Sequence, residues 1–181
     1  NQMLRTLKNT VIITVLGTAA QITMTALFAY PLSKKYTLGR SVILRLVVFT
    51  MIFHRGMIPT YLVVRSFGLI DTYAAVIIPR VMSAWYLIIL KTFFESIPTE
   101  LEESAVIDGA GDMKIFVRII LPLSKAGLAT ILLFYAVANW NLFFEAILYI
   151  NDIKKYPLQP VLRQILMLDD SIGSIYEASL T

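Results

Sequence analysis

One segment of the sequence, residues 96–112, contains five of the chain's 12 Asp and Glu residues. Thr99 and Glu102 are spaced as a capping box, in which two side chains satisfy backbone N–H groups at the start of a helix. Acidic residues would then fall in the first turn, where the helix dipole favours negative charge: these are Glu100, Glu102 and Glu103. The pattern predicts a short acidic helix whose carboxylates could pair with basic groups.

The same segment contains signals that end this helix and begin another. Gly109 and Gly111 follow the helical pattern, and glycine is favoured where a helix stops. Asp112 is placed to cap a second helix, which leads through Leu121 and Pro122 into an apolar run. A helix of about ten residues is marginal alone in water. It needs a partner, which could be the rest of its own chain or another protein.

The usual catalytic and metal-binding residues are scarce. The chain has no cysteine and one histidine, His54, which excludes disulfides, thiolate metal sites, a cysteine nucleophile and two-histidine zinc motifs. We interpret His54 as packed or hydrogen-bonded at the end of a span. The sequence also lacks the G-x-x-x-x-G-K-[ST] pattern of nucleotide-binding loops. We therefore predict no catalytic residue, no metal site and no cofactor in this chain.

The composition places the chain in the membrane class. Hydrophobic residues make up 57% of its 181 residues and charged residues 15%, against about 45–50% and 25% in soluble domains. Such a shift excludes disorder and leaves apolar surface that a soluble globule could not hide from water. The net charge of +4 sits between apolar runs, where it reports membrane topology rather than nucleic-acid binding.

The apolar runs predict a single all-α transmembrane domain over residues 1–181, because a bilayer-crossing helix needs about 20 residues. We place four spans at about 11–32, 41–64, 73–95 and 119–146. The acidic loop, at about 96–118, lies between the last two spans, and a tail follows at about 151–181. Lys and Arg are enriched in the loops after the first and third spans, which predicts that these loops are cytoplasmic and the tail external.

The second and third runs carry charges inside them, at Arg55 beside His54 and at Arg80 after Pro79. A charge at the bilayer centre costs at least about 2.5 kcal/mol on insertion scales. Two interpretations stay open. Either each helix is short and the chain from about Arg55 to Arg80 forms broken structure near one membrane face, or the two arginines project into a polar pathway.

The acidic loop resembles the EAA loop of bacterial ABC-importer permeases, which has the pattern E-A-A-x-x-x-G followed by I-x-L-P. The matching residues are Glu103, Ser104, Ala105, Gly109, Ile119, Leu121 and Pro122. The longer stretch IPTELEESAVIDGAGDMKIFVRIILPLSK, with GLIDTY before it and NWNLF after it, is similar to carbohydrate-importer permeases of the maltose type. The segment YPLQPVLRQIL resembles oligosaccharide or polysaccharide-derived permeases within that group.

The resemblance implies the helical bundle of MetI-like ABC permeases. Such proteins usually have six spans, so we expect a partial chain that lacks one span at each end. Ser104 stands where the pattern has Ala, a small-for-small change that keeps close packing. Ala126 follows Lys125 where Pro is common, so we expect a softer bend into the last span.

The resemblance also implies a transport subunit, not an enzyme, in the bacterial inner membrane. A pair of separate ATPase subunits would bind ATP and Mg. A second permease, expected to be a distinct homologue, and an external substrate-binding protein would complete the importer of a sugar or oligosaccharide. The residues that the resemblance places at the ATPase contact, or beside it in the same loop, are Glu102, Glu103, Ser104, Ala105, Asp108, Gly109 and Ala110.

Candidates for the substrate pathway lie near the external end of the last span, because aromatic faces and amides suit sugar rings and hydroxyl groups. They are Asn139, Trp140, Asn141, Glu145 and Tyr135. Structural roles compete with this interpretation. Trp140 could be an interfacial anchor, the two asparagines could make interhelical hydrogen bonds, and Tyr135 could belong to the core.

Two other functions stay open. An ABC-importer permease for an amino acid, peptide or ion would carry the same loop. An ion-coupled secondary transporter would need coupling groups within its spans, where Glu145 is the only nearby carboxylate.

Overall fold

The computed structural model describes residues 2–53 and 56–167. These residues are helical or irregular and include no β-strand. The interpretations of His54 and Arg55 lie outside the described residues, as does the tail from residue 168 onward.

The helices of the described residues are mostly short, apart from the first. In chain order they are α1 (Gln2–Ser33), α2 (Arg40–Ile52), α3 (Met57–Ser66), α4 (Tyr73–Ile77), α5 (Ala84–Glu95), α6 (Thr99–Ile107), α7 (Asp112–Ile115), α8 (Leu121–Leu123), α9 (Lys125–Trp140), α10 (Phe144–Tyr149) and α11 (158–167). A π-helical turn at Phe116–Ile120 joins α7 to α8, and 3-10 turns occupy Ile78–Arg80 and Ile153–Lys155.

Among the described residues, α1 is the one helix that is long and apolar enough to cross a bilayer unaided. It has 32 residues, and about 20 are needed. The other apolar runs are each divided between two helices. Up to four spans result if each bent pair counts as one: Arg40–Ile52 with Met57–Ser66, Tyr73–Arg80 with Ala84–Glu95, and Asp112–Leu123 with Lys125–Trp140.

The chain divides into two compact units, which we name by the segments they contain. The loop unit comprises Thr18–Gly56 and Arg80–Tyr135, and includes the acidic helix α6. Within the described residues, the tail unit comprises 2–17, 57–79 and 136–167. Helices α1 and α9 contribute residues to both units.

The core of the loop unit forms where α1 meets α5. Ala26, Ala29 and Tyr30 lie on one face of α1, at helical spacing. Leu87, Leu90 and Phe94 form the corresponding stripe on α5, and each of the three is at most 1% exposed. Both stripes belong to one buried cluster.

The chain bends by 81° between the Asp112–Leu123 segment and α9. This bend forms with Ala126 after Lys125, and the expectation of a softer bend than one with proline stays a prediction. The break occurs at Ser124, just after the turn that contains Pro122, where the backbone leaves the helical conformation with φ −95° and ψ 16°. Behind the bend, Gly127 lies so close to Phe93 of α5 that a Cβ atom there would be 2.7 Å from the ring carbon Cγ. Close packing on α5 thus fixes the direction of α9.

The tail unit has its own apolar core and a polar clasp. Ile13, Val64, Val76 and Ala146 are among its buried residues. The clasp is centred on Asp71, whose carboxylate accepts backbone N–H groups of Asn151 and Asp152 at 3.1 and 3.0 Å.

Candidate functional site

Helix α6 begins and ends where the acidic segment predicts, but its first turn is built differently. The helix begins at Thr99 with Pro98 in the N-cap position, and no side chain caps it. The predicted capping box was therefore wrong. Thr99 is already helical, and the carboxylate of Glu102 is engaged elsewhere, in an ion pair with Lys34.

The end of α6 follows the glycine signal. Gly109 has a left-handed φ of +75°, which glycine adopts without strain. The N–H groups of Gly109 and Ala110 then bond the carbonyls of Val106 and Ala105, both at 2.9 Å. Asp112 does not cap the next helix as predicted. Asp112 is the first residue of α7, and Gly111 occupies the N-cap position, so no side chain caps this helix.

The predicted loop residues separate into an outer and an inner set. Glu103, Ser104, Asp108 and Gly109 are exposed, whereas Glu102, Ala105 and Ala110 are partly buried. The two alanines pack against the core of the loop unit. The outer set is accompanied by Ile107, an apolar side chain that is 86% exposed.

The inner side of α6 is attached to the chain between α1 and α2. The Lys34–Glu102 ion pair leaves these side chains only 10% and 14% exposed. The Lys34 ammonium group also lies over the ring of Tyr30, 4.8 Å from its centroid. At such a distance a cation is attracted to the ring face.

A second set of contacts fixes the end of α5 beside this attachment. Arg40 donates from Nη2 to Glu95 Oε1 at 2.6 Å and from Nε to the Leu32 carbonyl at 2.8 Å. Lys91 donates to the other Glu95 oxygen at 2.7 Å. Lys34, which follows α1, and Arg40, which begins α2, therefore bind carboxylates on the two sides of the α5–α6 turn.

A cavity of about 750 Å³ in the loop unit borders α6 and reaches the exposed residues Glu103 and Ile107. Its lining includes Tyr30, Lys34, Phe94, Glu103 and Asp112. The Tyr30 hydroxyl is buried and has no hydrogen-bond partner among the described residues. Among the residues that the structure describes, Glu103 and Asp112 form no ion pair. The volume falls in the range of about 300–1,000 Å³ that is common for ligand pockets.

The predicted substrate residues are divided between the two units. Tyr135 lies in the loop unit, 3% exposed. Its hydroxyl is 2.8 Å from Thr25 Oγ1 and accepts the Ser83 N–H at 3.2 Å. This hydroxyl is bonded within the protein, and the Tyr135 ring packs in the core.

The other four substrate candidates lie in the tail unit. Asn139 is buried, and its amide nitrogen is 3.0 Å from the point where a Cβ on Gly17 would lie. Asn141 is exposed and accepts from Gln159 at 3.3 Å. Trp140 is 39% exposed and, with Asn141, lines a cavity of about 230 Å³. Glu145 is partly buried in α10.

The Asp71 clasp was not predicted from the sequence. Asp71 is a non-glycine residue with a positive φ of 63°, and its side chain bonds Lys155 at 2.6 Å. This hydrogen bond, with the Asp152 N–H, lowers the pKa of the Asp71 carboxyl, and the same bond raises the pKa of Lys155. The glycine before it, in GLIDTY, signals a turn. No local signal identifies a partner 84 positions away.

Comparison with known proteins gives concordant results. Residues 22–176 match the family described as binding-protein-dependent transport system inner membrane component. The chain is 55% identical over 167 residues to Protein LplC of Bacillus subtilis (strain 168), covering 92% of this chain and 57% of LplC. It is 52% identical over 162 residues to the polygalacturonan/rhamnogalacturonan transport system permease protein YtcP of the same strain, covering 90% and 57%.

A solved structure gives the same result for the fold. A chain of a bacterial ABC transporter involved in the import of the acidic polysaccharide alginate superposes with a TM-score of 0.88 at 36% identity. The match covers 91% of this chain and 59% of that chain. The present chain thus spans less than two thirds of the proteins that it matches. It has the MetI-like ABC permease fold, and it belongs to the family of binding-protein-dependent transport system inner membrane components.

Proposed function

We propose that this chain forms part of the membrane pathway of an ATP-driven importer for a sugar or oligosaccharide in the bacterial inner membrane. The proposal rests on the composition and exposure of α6. This helix is a nine-residue acidic helix with no buried residue, and its outer face combines carboxylates with the exposed Ile107. An exposed apolar side chain among charges is typical of a surface that a partner covers.

The partner that we propose for α6 is a separate ATPase subunit, present as a pair in the importer. The sequence has no phosphate-binding loop of its own, so ATP and Mg would be bound by that subunit. Glu103 and Asp108 offer carboxylates for basic side chains of the ATPase, and Ser104 and Gly109 allow close approach. In this arrangement Glu102 holds α6 in place instead of contacting the partner.

The membrane arrangement that we propose has four spans, at about residues 11–32, 41–64, 73–95 and 119–146. The acidic loop is cytoplasmic, and the tail from about residue 151 is external. A second permease, expected to be a distinct homologue, and a substrate-binding protein would complete the importer. ATP binding would shift an inward–outward equilibrium through its different affinity for the two states.

The substrate class is proposed from the relatives. YtcP is named for polygalacturonan and rhamnogalacturonan transport, and the structural relative takes part in the import of alginate, an acidic polysaccharide. An oligosaccharide derived from an acidic polysaccharide is therefore the first substrate to test. Trp140, Asn141 and Glu145 of the tail unit are the pathway candidates with accessible side-chain surface.

The test is ATP hydrolysis by the complete importer in vesicles, with and without its loaded binding protein. Glu103→Arg places a positive charge where we propose that a basic group of the ATPase docks. We expect stimulation by the binding protein to be lost in this variant. Arg65→Glu, a charge reversal at an exposed residue of the tail unit, is the control and should keep it. Unchanged stimulation in Glu103→Arg would overturn the docking proposal.

A further inference from the structure

Helix α6 has little apolar attachment to the unit that carries it. None of its residues is buried. Of its side chains, Ala105 packs partly against the core, and alanine offers only one methyl group. Within the described residues, Glu102 is the α6 side chain that an ion pair joins to another element. Few side-chain contacts can therefore transmit a displacement of α6 to the rest of the loop unit.

The other half of that ion pair is placed at the end of the long helix. Lys34 directly follows Ser33, the last residue of α1, and its N–H bonds the Pro31 carbonyl at 3.2 Å. A positive charge at this end of a helix is favoured by the helix dipole. The Lys34 side chain is held against the Tyr30 ring, one turn earlier on α1. A force on the Lys34 ammonium group is thus a force on the end of α1.

The Lys34–Glu102 ion pair is mostly shielded from water, and this shielding determines its strength. Screening by solvent makes exposed ion pairs weak, but these side chains are only 10% and 14% exposed. Removal of one partner would leave a shielded charge uncompensated, which is strongly unfavourable.

We propose that the Lys34–Glu102 ion pair transmits movement of α6 to α1, so that Lys34 is a positioning residue for coupling. The inference rests on the proposed function, because α6 moves only if an ATPase is docked on it. Lys34 itself touches neither the ATPase nor the solute in this account. It acts by keeping the end of α1 in contact with the inner face of α6, so that the two helices move together.

The experiment uses charge reversal in the complete importer, reconstituted in vesicles. Two quantities are measured: the ATPase that co-purifies per permease, and the solute imported per ATP hydrolysed. Lys34→Glu and Glu102→Lys each place like charges together, and the double variant restores an opposite pair in reversed order. Lys34→Arg conserves the charge. Lys35→Glu, at the exposed neighbouring residue, is the matched control.

We expect both single reversals to keep the ATPase bound but to lower the solute imported per ATP by about tenfold, within the range usual for coupling between sites. The double reversal and Lys34→Arg should recover most of the ratio, and Lys35→Glu should keep it. A role in stability alone would lower the yield of complex and leave the ratio of surviving complex unchanged.

Three results would overturn the inference. One is an unchanged import ratio in both single variants. Another is no recovery in the double variant while Lys34→Arg behaves as the wild type. The third is loss of the bound ATPase from both single variants, which would make the pair part of docking. Failure of the proposed function looks different, since the wild-type permease would then co-purify with no ATPase at all.

Discussion

At the residue scale, the acidic side chains separate into those that hold the chain together and those that remain for a partner. Glu102 and Glu95 are bound by Lys34 and by Arg40 and Lys91. Glu103, next to Glu102 in sequence, is exposed. Neighbouring carboxylates can therefore have opposite roles because successive helix residues point about 100° apart.

The Asp71 clasp leads to a prediction about pH. The pKa of Asp71 is lowered, so its contribution to stability is complete above the usual value of 3.8 and is lost as pH falls through the lowered pKa. The pKa of Lys155 is raised, so its contribution is complete below 10.5 and is lost as pH rises through the raised pKa. Between these limits the clasp should stabilise the fold by a constant amount.

Asp71→Asn tests this prediction, because Asn also tolerates a positive φ and still accepts the backbone N–H groups. We expect a lower Tm than that of the wild type by a constant difference between about pH 5 and 9. The difference should shrink below the lowered pKa. Lys155→Met should have a similar effect, and the double variant should lose little more than either single one. Additive losses would contradict a direct Asp71–Lys155 bond.

The residue types of the candidate site could be predicted from the sequence, but their partners could not. The capping-box rule assigned Glu102 to the backbone beside it. In the structure a lysine 68 positions away takes that carboxylate. A local cap is worth only about 1 kcal/mol, so it does not hold a carboxylate to which the fold brings a charged partner. Nothing in the sequence near Lys34 indicates which of the many carboxylates it would meet.

At the element scale, glycine positions were informative where they end helices, as at Gly109. The size of the bend before α9 was not predicted, because the packing of α9 on α5 involves elements that are distant in sequence. The close approach of α9 to α5 at Gly127 and Phe93 was likewise invisible in the sequence. The positions of the apolar runs were evident, and short helices with broken structure from about Arg55 to Arg80 were one of two interpretations. The division of the last run at Ser124 was not predicted.

The α5–α9 contact gives a prediction at this scale. In Gly127→Val, the added Cβ would lie 2.7 Å from Phe93 Cγ, so α9 or the ring must shift. Overpacking of this kind costs about 1–3 kcal/mol. We expect a lower Tm of the purified protein in mild detergent.

The exposed neighbour provides the control for this prediction. Ala126→Val adds a similar side chain to the same helix at an exposed position and should leave Tm nearly unchanged. Phe93→Leu combined with Gly127→Val should recover part of the loss, because the two sites are in contact. An equal loss in Gly127→Val and Ala126→Val would show that the cost comes from the helix and not from the contact.

At the scale of the whole molecule, the family could be identified from the sequence because its signature is local. The acidic loop and its flanks lie within one continuous stretch of chain. The division into a loop unit and a tail unit could not be identified, since each unit is assembled from distant segments. For the same reason, the sequence does not show that Tyr135 and Trp140 belong to different units.

The central claim is that α6 contacts a separate ATPase. The described chain has no cysteine, so a single introduced thiol can report the contact. Ser104→Cys lies on the outer face of α6, and Ser66→Cys is a matched control at the end of α3. Both serines are exposed, and both hydroxyls bond the carbonyl three residues earlier, at 3.0 and 2.8 Å.

The measurement is cross-linking from each cysteine in native membranes, followed by mass spectrometry of the captured protein. We predict that Ser104→Cys captures a protein with a nucleotide-binding loop and that Ser66→Cys does not. Addition of Glu103→Arg to Ser104→Cys should reduce the capture. Capture of no ATPase at position 104, or equal capture at both positions, would contradict contact between α6 and a separate ATPase.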